Sequence, residues 1–267
     1  MMEILSERSS RVVSLAKLHR ASVRRAEGRF LVEGANSVTA ALDTRRAETV
    51  LVREDETERH AEILAAAAAA GLPVFGLSAR ATEKLSEATT APGIFAVCRL
   101  LDADLATVLA DGPRLLAVAV EPREPGNAGT LIRTADAMGA DAVLILGDAV
   151  DPHNGKCVRA SAGSVFHLPI VRHRDVDATL ARLQENGIVV LATAADGELD
   201  LDHADDVLAR PTAWLFGNEA HGLPATIATA ADHRVSIPIR GRAESLNLAA
   251  AASICLYDSA RIHARGR

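Results

Sequence analysis

Leu115-Leu-Ala-Val-Ala-Val120 runs into Glu121-Pro-Arg-Glu-Pro-Gly-Asn127-Ala-Gly-Thr-Leu-Ile-Arg133-Thr-Ala. An unbroken apolar run that ends in a Pro/Gly loop and then a helical pattern reads as a strand buried on both faces, the kind that parallel sheets use. Downstream, further buried strands are expected at residues 142–146, 188–193 and 213–216. Helical periodicity is expected at 129–138 and 176–183, and over 246–262 as a long terminal helix. In such a sheet the loops at the carboxyl ends of the strands carry the ligands.

Upstream the same alternation holds on a smaller scale. Residues 29–33, 49–52, 73–76 and 94–99 read as strands, and 35–42, 58–70 and 79–85 as helices, so this half is also a layered α/β domain. The polar stretch 102–112 closes on Asp111-Gly112-Pro113, which favours a turn. The expected organisation is therefore a smaller N-terminal α/β domain at 1–101, a linker at 102–112 and a second domain at 113–267. A length of 267 residues, with 49% hydrophobic and 24% charged, suits two globular domains.

Several classes are disfavoured by composition. The alanine run at 65–70 follows Glu58, Arg59, His60 and Glu62 and falls short of the ~20 apolar residues of a membrane span. Residues 1–11 carry Glu3, Glu7, Arg8 and Arg11 and lack a secretory apolar core, so a cytoplasmic location is expected. Cys98, Cys157 and Cys255 are odd in number and far apart, which fits reduced core thiols. The nine histidines show no H-E-x-x-H or Cys/His grouping, and no metal site is expected.

The net charge of −6 hides an uneven distribution. Residues 1–30 hold Arg8, Arg11, Lys17, Arg20, Arg24, Arg25 and Arg29 against Glu3, Glu7 and Glu27. This basic leader helix points to nucleic-acid contact through Arg11, Lys17, Arg20, Arg24 and Arg25.

Three clusters carry polar residues that core packing does not need. In the first, Asn127 stands where a helix cap would be, and Arg133 lies six residues on, nearly two turns later and roughly on one side of the helix. The second is Leu215-Phe-Gly217-Asn-Glu219-Ala-His-Gly222-Leu, a strand end with glycines bracketing a carboxylate. The third is Ile237-Pro-Ile239-Arg-Gly-Arg-Ala-Glu-Ser245-Leu246-Asn247-Leu-Ala, a strand end and loop that enter the terminal helix, with Ser245 as a candidate cap.

In order, N-x-G-x-x-x-R, F-G-N-E-x-x-G-L and I-P-I-x-x-x-x-E-S-L-N-x-A resemble the three signature motifs of the SpoU (TrmH-type) RNA ribose 2′-O-methyltransferases of the SPOUT superfamily. F-L-V-E-G-x-N-x-V-x-x-A-L at residues 30–42 looks like the substrate-binding domain that many members carry, so the resemblance covers almost the whole chain. It implies methyl transfer from S-adenosylmethionine to a ribose 2′-hydroxyl of RNA, with ribosomal RNA favoured over transfer RNA. It also implies a mostly parallel catalytic domain with a deep trefoil knot and a homodimer that completes the active site.

Carried over by motif position, Asn127, Arg133, Glu219, Ser245 and Asn247 are the catalytic set. Leu215, Phe216, Gly217, Ile237, Ile239 and Leu246 are the cofactor contacts, with Gly217 allowing close approach. Arg159 and Ser161 lie in a segment expected to face RNA. The family's proposal that the residue matching Arg133 deprotonates the hydroxyl needs a large shift in a guanidinium that ordinarily stays charged. A bidentate pairing with Glu219 would favour the charged form further. Two other readings remain open: a catalytically silent protein that docks on RNA, and a nucleotide-binding enzyme with a small substrate.

Overall fold

The computed structural model describes residues 2–218 and 220–265. Its elements run β1 (Ile4–Leu5), α1 (Ser10–Ala16), α2 (Ala21–Glu27), β2 (Arg29–Glu33), α3 (Ala35–Asp43), β3 (Ala47–Arg53), α4 (Ala61–Ala69), β4 (Val74–Leu77), α5 (Ala79–Leu85) and β5 (Ile94–Arg99). These continue as β6 (Asp102–Ala103), α6 (Leu105–Ala110), β7 (Leu115–Val120), α7 (Pro125–Ala137), β8 (Ala142–Leu146), α8 (Gly155–Ser161), β9 (Ile170–His173) and α9 (Val176–Glu185). The chain ends with β10 (Val189–Thr193), β11 (Leu199–Asp200), α10 (Asp205–Leu208), β12 (Thr212–Phe216), α11 (Ala225–Ala230), β13 (His233–Ser236) and α12 (Leu248–Arg265).

The chain forms two compact units. One holds Met1–Leu101 with Asp151–His167, and the other holds Asp102–Val150 with Leu168–Arg267. Residues 102–112, expected as a linker, are structured and belong to the second unit, where β6 pairs with β9 and α6 follows. Leu105 and Val108, three apart, are buried in that unit's core. Asp102, Asp104 and Asp111 disguise this short apolar stripe in the sequence.

In the second unit eight strands lie in the order β11-β13-β10-β12-β7-β8-β9-β6, and every pairing is parallel. The run expected to be buried on both faces is β7, and all of its residues are buried. Leu116, Val118 and Val120 pack with Leu180 and Leu183 of α9, Ile227 of α11 and the α6 pair. Against the opposite face lie α7 and α12. Alternate residues therefore enter different cores, because a strand's side chains have a period of two. Trp214 of β12 is fully buried and its Nε1–H donates to Ser259 Oγ of α12 at 2.8 Å, a bond contributing about 1 kcal/mol.

The first unit has a five-stranded mixed sheet, β1-β4-β3-β5-β2. The basic leader is two short helices, α1 and α2, joined by a single turn, and Val12, Leu15 and Leu18 are its core side chains. Asp151–His167 completes this unit. Phe166 stacks on Phe30 at 6.0 Å between ring centroids, and His153 meets the same ring edge-on at 4.8 Å. All three cysteines are buried and free, and burial pushes the Cys157 thiol up to about 12.

Candidate active site

Parallel pairing sets the carboxyl ends of β13, β10, β12 and β7 side by side along one edge, in that order. Two of the three motif loops share a cleft there. About 680 Å³ in volume, it is lined by Val120, Glu121, Arg123 and Glu124 after β7, and by Asn218, Ala220, His221, Gly222 and Pro224 after β12. That size suits a small ligand or a single nucleoside.

Local chemistry explains both loops. Glu124, not Asn127, is the N-cap of α7: its carboxylate accepts from the Gly126 N–H at 3.1 Å, and Pro125 follows at the first helical position. Asn127 falls inside the first turn and is half-buried. At 3.6 residues per turn, six residues rotate Arg133 by about 120° from Asn127, so the two do not share one side of the helix. Arg133 is exposed and does not line the cleft, and among the described residues it has neither an ion pair nor a hydrogen bond.

The second loop is a tight turn. Asn218 and Gly222 exchange main-chain hydrogen bonds at 3.0 and 2.8 Å, and the Asn218 side chain accepts from Ala220 N–H. Its amide also donates to the Glu121 carbonyl at 2.9 Å, joining the two loops. A β-carbon on Gly217 would stand 2.2 Å from the Gly222 carbonyl carbon and the Leu223 nitrogen. Glycine at 217 is required by this turn itself, a reason beyond the expected approach of a cofactor. Glu219 lies outside the described residues.

The third stretch is arranged differently. Leu215 and Phe216 are buried core residues, which leaves only main-chain atoms of β12 for a ligand. Ile237 is half-buried, whereas Ile239 and Leu246 are 38% and 37% exposed. Ser245 and Asn247 are exposed as well. The cap of α12 is Asn247, whose Oδ1 accepts from Ala249 N–H at 2.8 Å, and not Ser245. None of these residues lines the cleft. Thr193, unmarked in the sequence, ties the edge together by donating to the Leu215 carbonyl at 2.8 Å.

The residues expected to meet RNA also divide. Arg11, Lys17, Arg20 and Arg25 are exposed, with Arg11 resting 3.7 Å over the Phe75 ring. Arg24 is 3% exposed and cannot reach a phosphate: it donates twice to Asp151 Oδ2, at 2.9 and 2.6 Å, and to the Leu18 and His19 carbonyls. Asp151 Oδ1 accepts from His153 Nδ1, since the other ring nitrogen, Nε2, accepts from Leu101 N–H at 2.9 Å. Burial alone would raise the Asp151 carboxyl, but bonds from His153 and Arg24 outweigh it and hold the group well below the usual range. Arg159 pairs with buried Glu33, and Ser161 is fully buried with its hydroxyl given to the Val158 carbonyl. Their side chains close the first unit's interior. Nothing in the local sequence gave a sign of this, since a buried ion pair has no local sequence pattern.

Among the described residues no group of three or more His, Cys, Asp or Glu could hold a metal ion, and no helix is long and apolar enough to cross a membrane.

Comparison with known proteins agrees with the motif order. The model of the SpoU rRNA Methylase family matches residues 114–257, and that of the MRM3-like substrate binding domain matches residues 9–96. The chain is 33% identical over its whole length, and that of its relative, to the 23S rRNA (guanosine(2553)-2′-O)-methyltransferase RlmP of Bacillus subtilis. It is 39% identical over 149 residues to the 23S rRNA (uridine(2479)-2′-O)-methyltransferase of Streptomyces viridochromogenes, covering 55% of this chain and 52% of that one. The structure superposes with a TM-score of 0.84 on the SpoU methyltransferase AviRb from Streptomyces viridochromogenes in complex with AdoMet, at 29% identity over 97% of this chain and 100% of the other.

Proposed function

Since the chain belongs to the SpoU rRNA methylase family, we propose that it transfers a methyl group from S-adenosylmethionine to a ribose 2′-hydroxyl of ribosomal RNA. The observation that carries this reading is the shared cleft: the loops of the first two motifs converge at the carboxyl edge of a parallel sheet, tied by the Asn218–Glu121 bond.

The third motif stretch suits the cofactor. Main-chain groups of residues 239–246 make no hydrogen bond to the rest of the described main chain, and Ile239 and Leu246 expose apolar side chains next to them. Free main-chain donors and acceptors beside an apolar wall match the needs of an adenine ring. When bound, the cofactor supplies a methyl carbon made electrophilic by its sulfonium. The protein's task is then placement, holding the 2′-oxygen in line with that carbon and keeping bulk water away.

Arg133 supplies the positive charge, as a guanidinium unpaired among the described residues and able to grip the phosphate beside the target ribose. Its position away from the cleft supports a homodimer in which Arg133 of the partner subunit completes the site. Ile254 and Tyr257 on α12, 39% and 57% exposed, offer an apolar face for that pairing. The reading extends to a trefoil knot formed where residues 237–247 lead into α12, and to action in the cytoplasm. Arg11, Lys17, Arg20 and Arg25 are the RNA contacts of the first unit, sequence-independent and salt-sensitive.

Incubation with tritiated cofactor and unmodified ribosomal RNA tests this. Label that survives in alkali-stable dinucleotides places the methyl on a ribose. Label confined to transfer RNA overturns the choice of substrate, and cofactor binding without transfer to any RNA favours a silent docking protein.

A further inference from the structure

Two relatives similar to this chain act on different nucleosides, guanosine in one and uridine in the other, so similarity over the second unit does not by itself fix the base. Glu121 has the properties of a residue that does. It lines the cleft with its side chain crossing Gly147, and among the described residues its carboxylate has no hydrogen-bond partner, Arg123 being the cation beside it. It also sits at φ 50°, in the left-handed region, one of three non-glycine residues to do so among those described. Glutamate there is strained where glycine would not be, and it precedes Pro122, which narrows backbone choice further.

The surroundings hold that strained backbone in place. Glu121 N–H donates to the Leu146 carbonyl at 2.9 Å, and its own carbonyl accepts from the Asn218 amide. On the neighbouring strand end, Gly147 leaves open the space its side chain crosses: a β-carbon at 147 would lie 2.6 Å from Glu121 Cγ. A strained backbone at a cleft, carrying an acid with no hydrogen-bond partner among the described residues, points to function.

We propose that Glu121 is a specificity-determining residue that reads the Watson–Crick edge of the target base and selects guanine. This rests on the function proposed above. A carboxylate only accepts hydrogen bonds and offers two oxygens side by side. Guanine alone presents two adjacent donors on that edge, N1–H and the 2-amino group. Adenine and cytosine present one donor beside an acceptor, and uracil sets its single N–H between two carbonyls that a carboxylate repels. A base taken out of its stack is read on this same edge.

The test uses unmodified ribosomal RNA transcripts, tritiated cofactor and digestion to nucleosides. Wild-type protein is expected to place label in 2′-O-methylguanosine. Label in another nucleoside overturns the role of Glu121 while leaving ribose methylation standing, whereas no label in any RNA overturns both. On the mapped target, replacing guanosine by inosine, which lacks the 2-amino group, is expected to slow the wild type about tenfold. Glu121→Gln should lower the guanosine rate by a similar factor and bring the guanosine-to-inosine ratio close to one, with cofactor affinity unchanged. Glu121→Gly, which relieves the strain, should keep the thermal midpoint and still lose the discrimination. An unchanged ratio in either variant overturns the proposal.

Discussion

Arg24 and Arg133 are both arginines on helices, and the structure puts them to opposite uses. Arg24 is closed off in the first unit, with Asp151 and two carbonyls as partners. Arg133 stands exposed on α7, with no partner among the described residues. A buried charge must be fully paired or it costs several kcal/mol, while a charge that binds a ligand must be left unpaired until the ligand arrives. The same contrast holds between the two regions. Around Asp151–His167 the arginines Arg24 and Arg159 are paired with Asp151 and Glu33, whereas in the second unit Arg133 has no partner among the described residues.

This contrast is sharpened by substitution, beginning with the largest effect. Arg133→Ala is expected to lower single-turnover methyl transfer about a thousandfold, with cofactor affinity unchanged in equilibrium binding. Full turnover would show that the open guanidinium is idle. Arg24→Ala should destabilise the protein by about 3–5 kcal/mol in urea unfolding, because it strands Asp151. Its exposed neighbour Arg25→Ala should change stability by less than about 0.5 kcal/mol. Equal effects at 24 and 25 would erase the distinction between paired and open arginines.

Asp151 gives the contrast a pH dependence. Its folded-state pKa lies below the unfolded value, so the stability it contributes is complete above the unfolded pKa of about 3.9 and is lost as pH falls toward the folded one. Acid unfolding followed by circular dichroism should be less steep below about pH 4 in Asp151→Asn than in the wild type. The smallest effect is expected at the surface: Arg20→Ala should weaken RNA binding a few-fold and reduce the salt slope by about one. An unaltered slope would place RNA elsewhere.

Much of the fold was legible in the sequence. The strand at 94–99 and the helix at 79–85 have the expected limits, and β7 is buried on both faces as its unbroken apolar run implies. Less legible were elements whose stabilisation is not local. Asp102–Ala103 is a two-residue strand that exists only because β9 lies beside it, and α6 was hidden among aspartates. Asp151–His167 was read with the catalytic half because it lies there in the chain, yet its buried His153, Val165 and Phe166 belong to the first unit's interior.

Residue order alone determined the two α/β layers, the buried central strand and the three motif stretches, since periodicity and glycine placement are written in the chain. Tertiary structure decided which charges are free. Arg24 and Arg25 are adjacent and chemically identical, and only burial against Asp151 makes one of them a structural ion while the other faces water. Desolvation and pairing depend on residues far apart in sequence, such as 24 and 151, and these are neighbours only once the chain has folded.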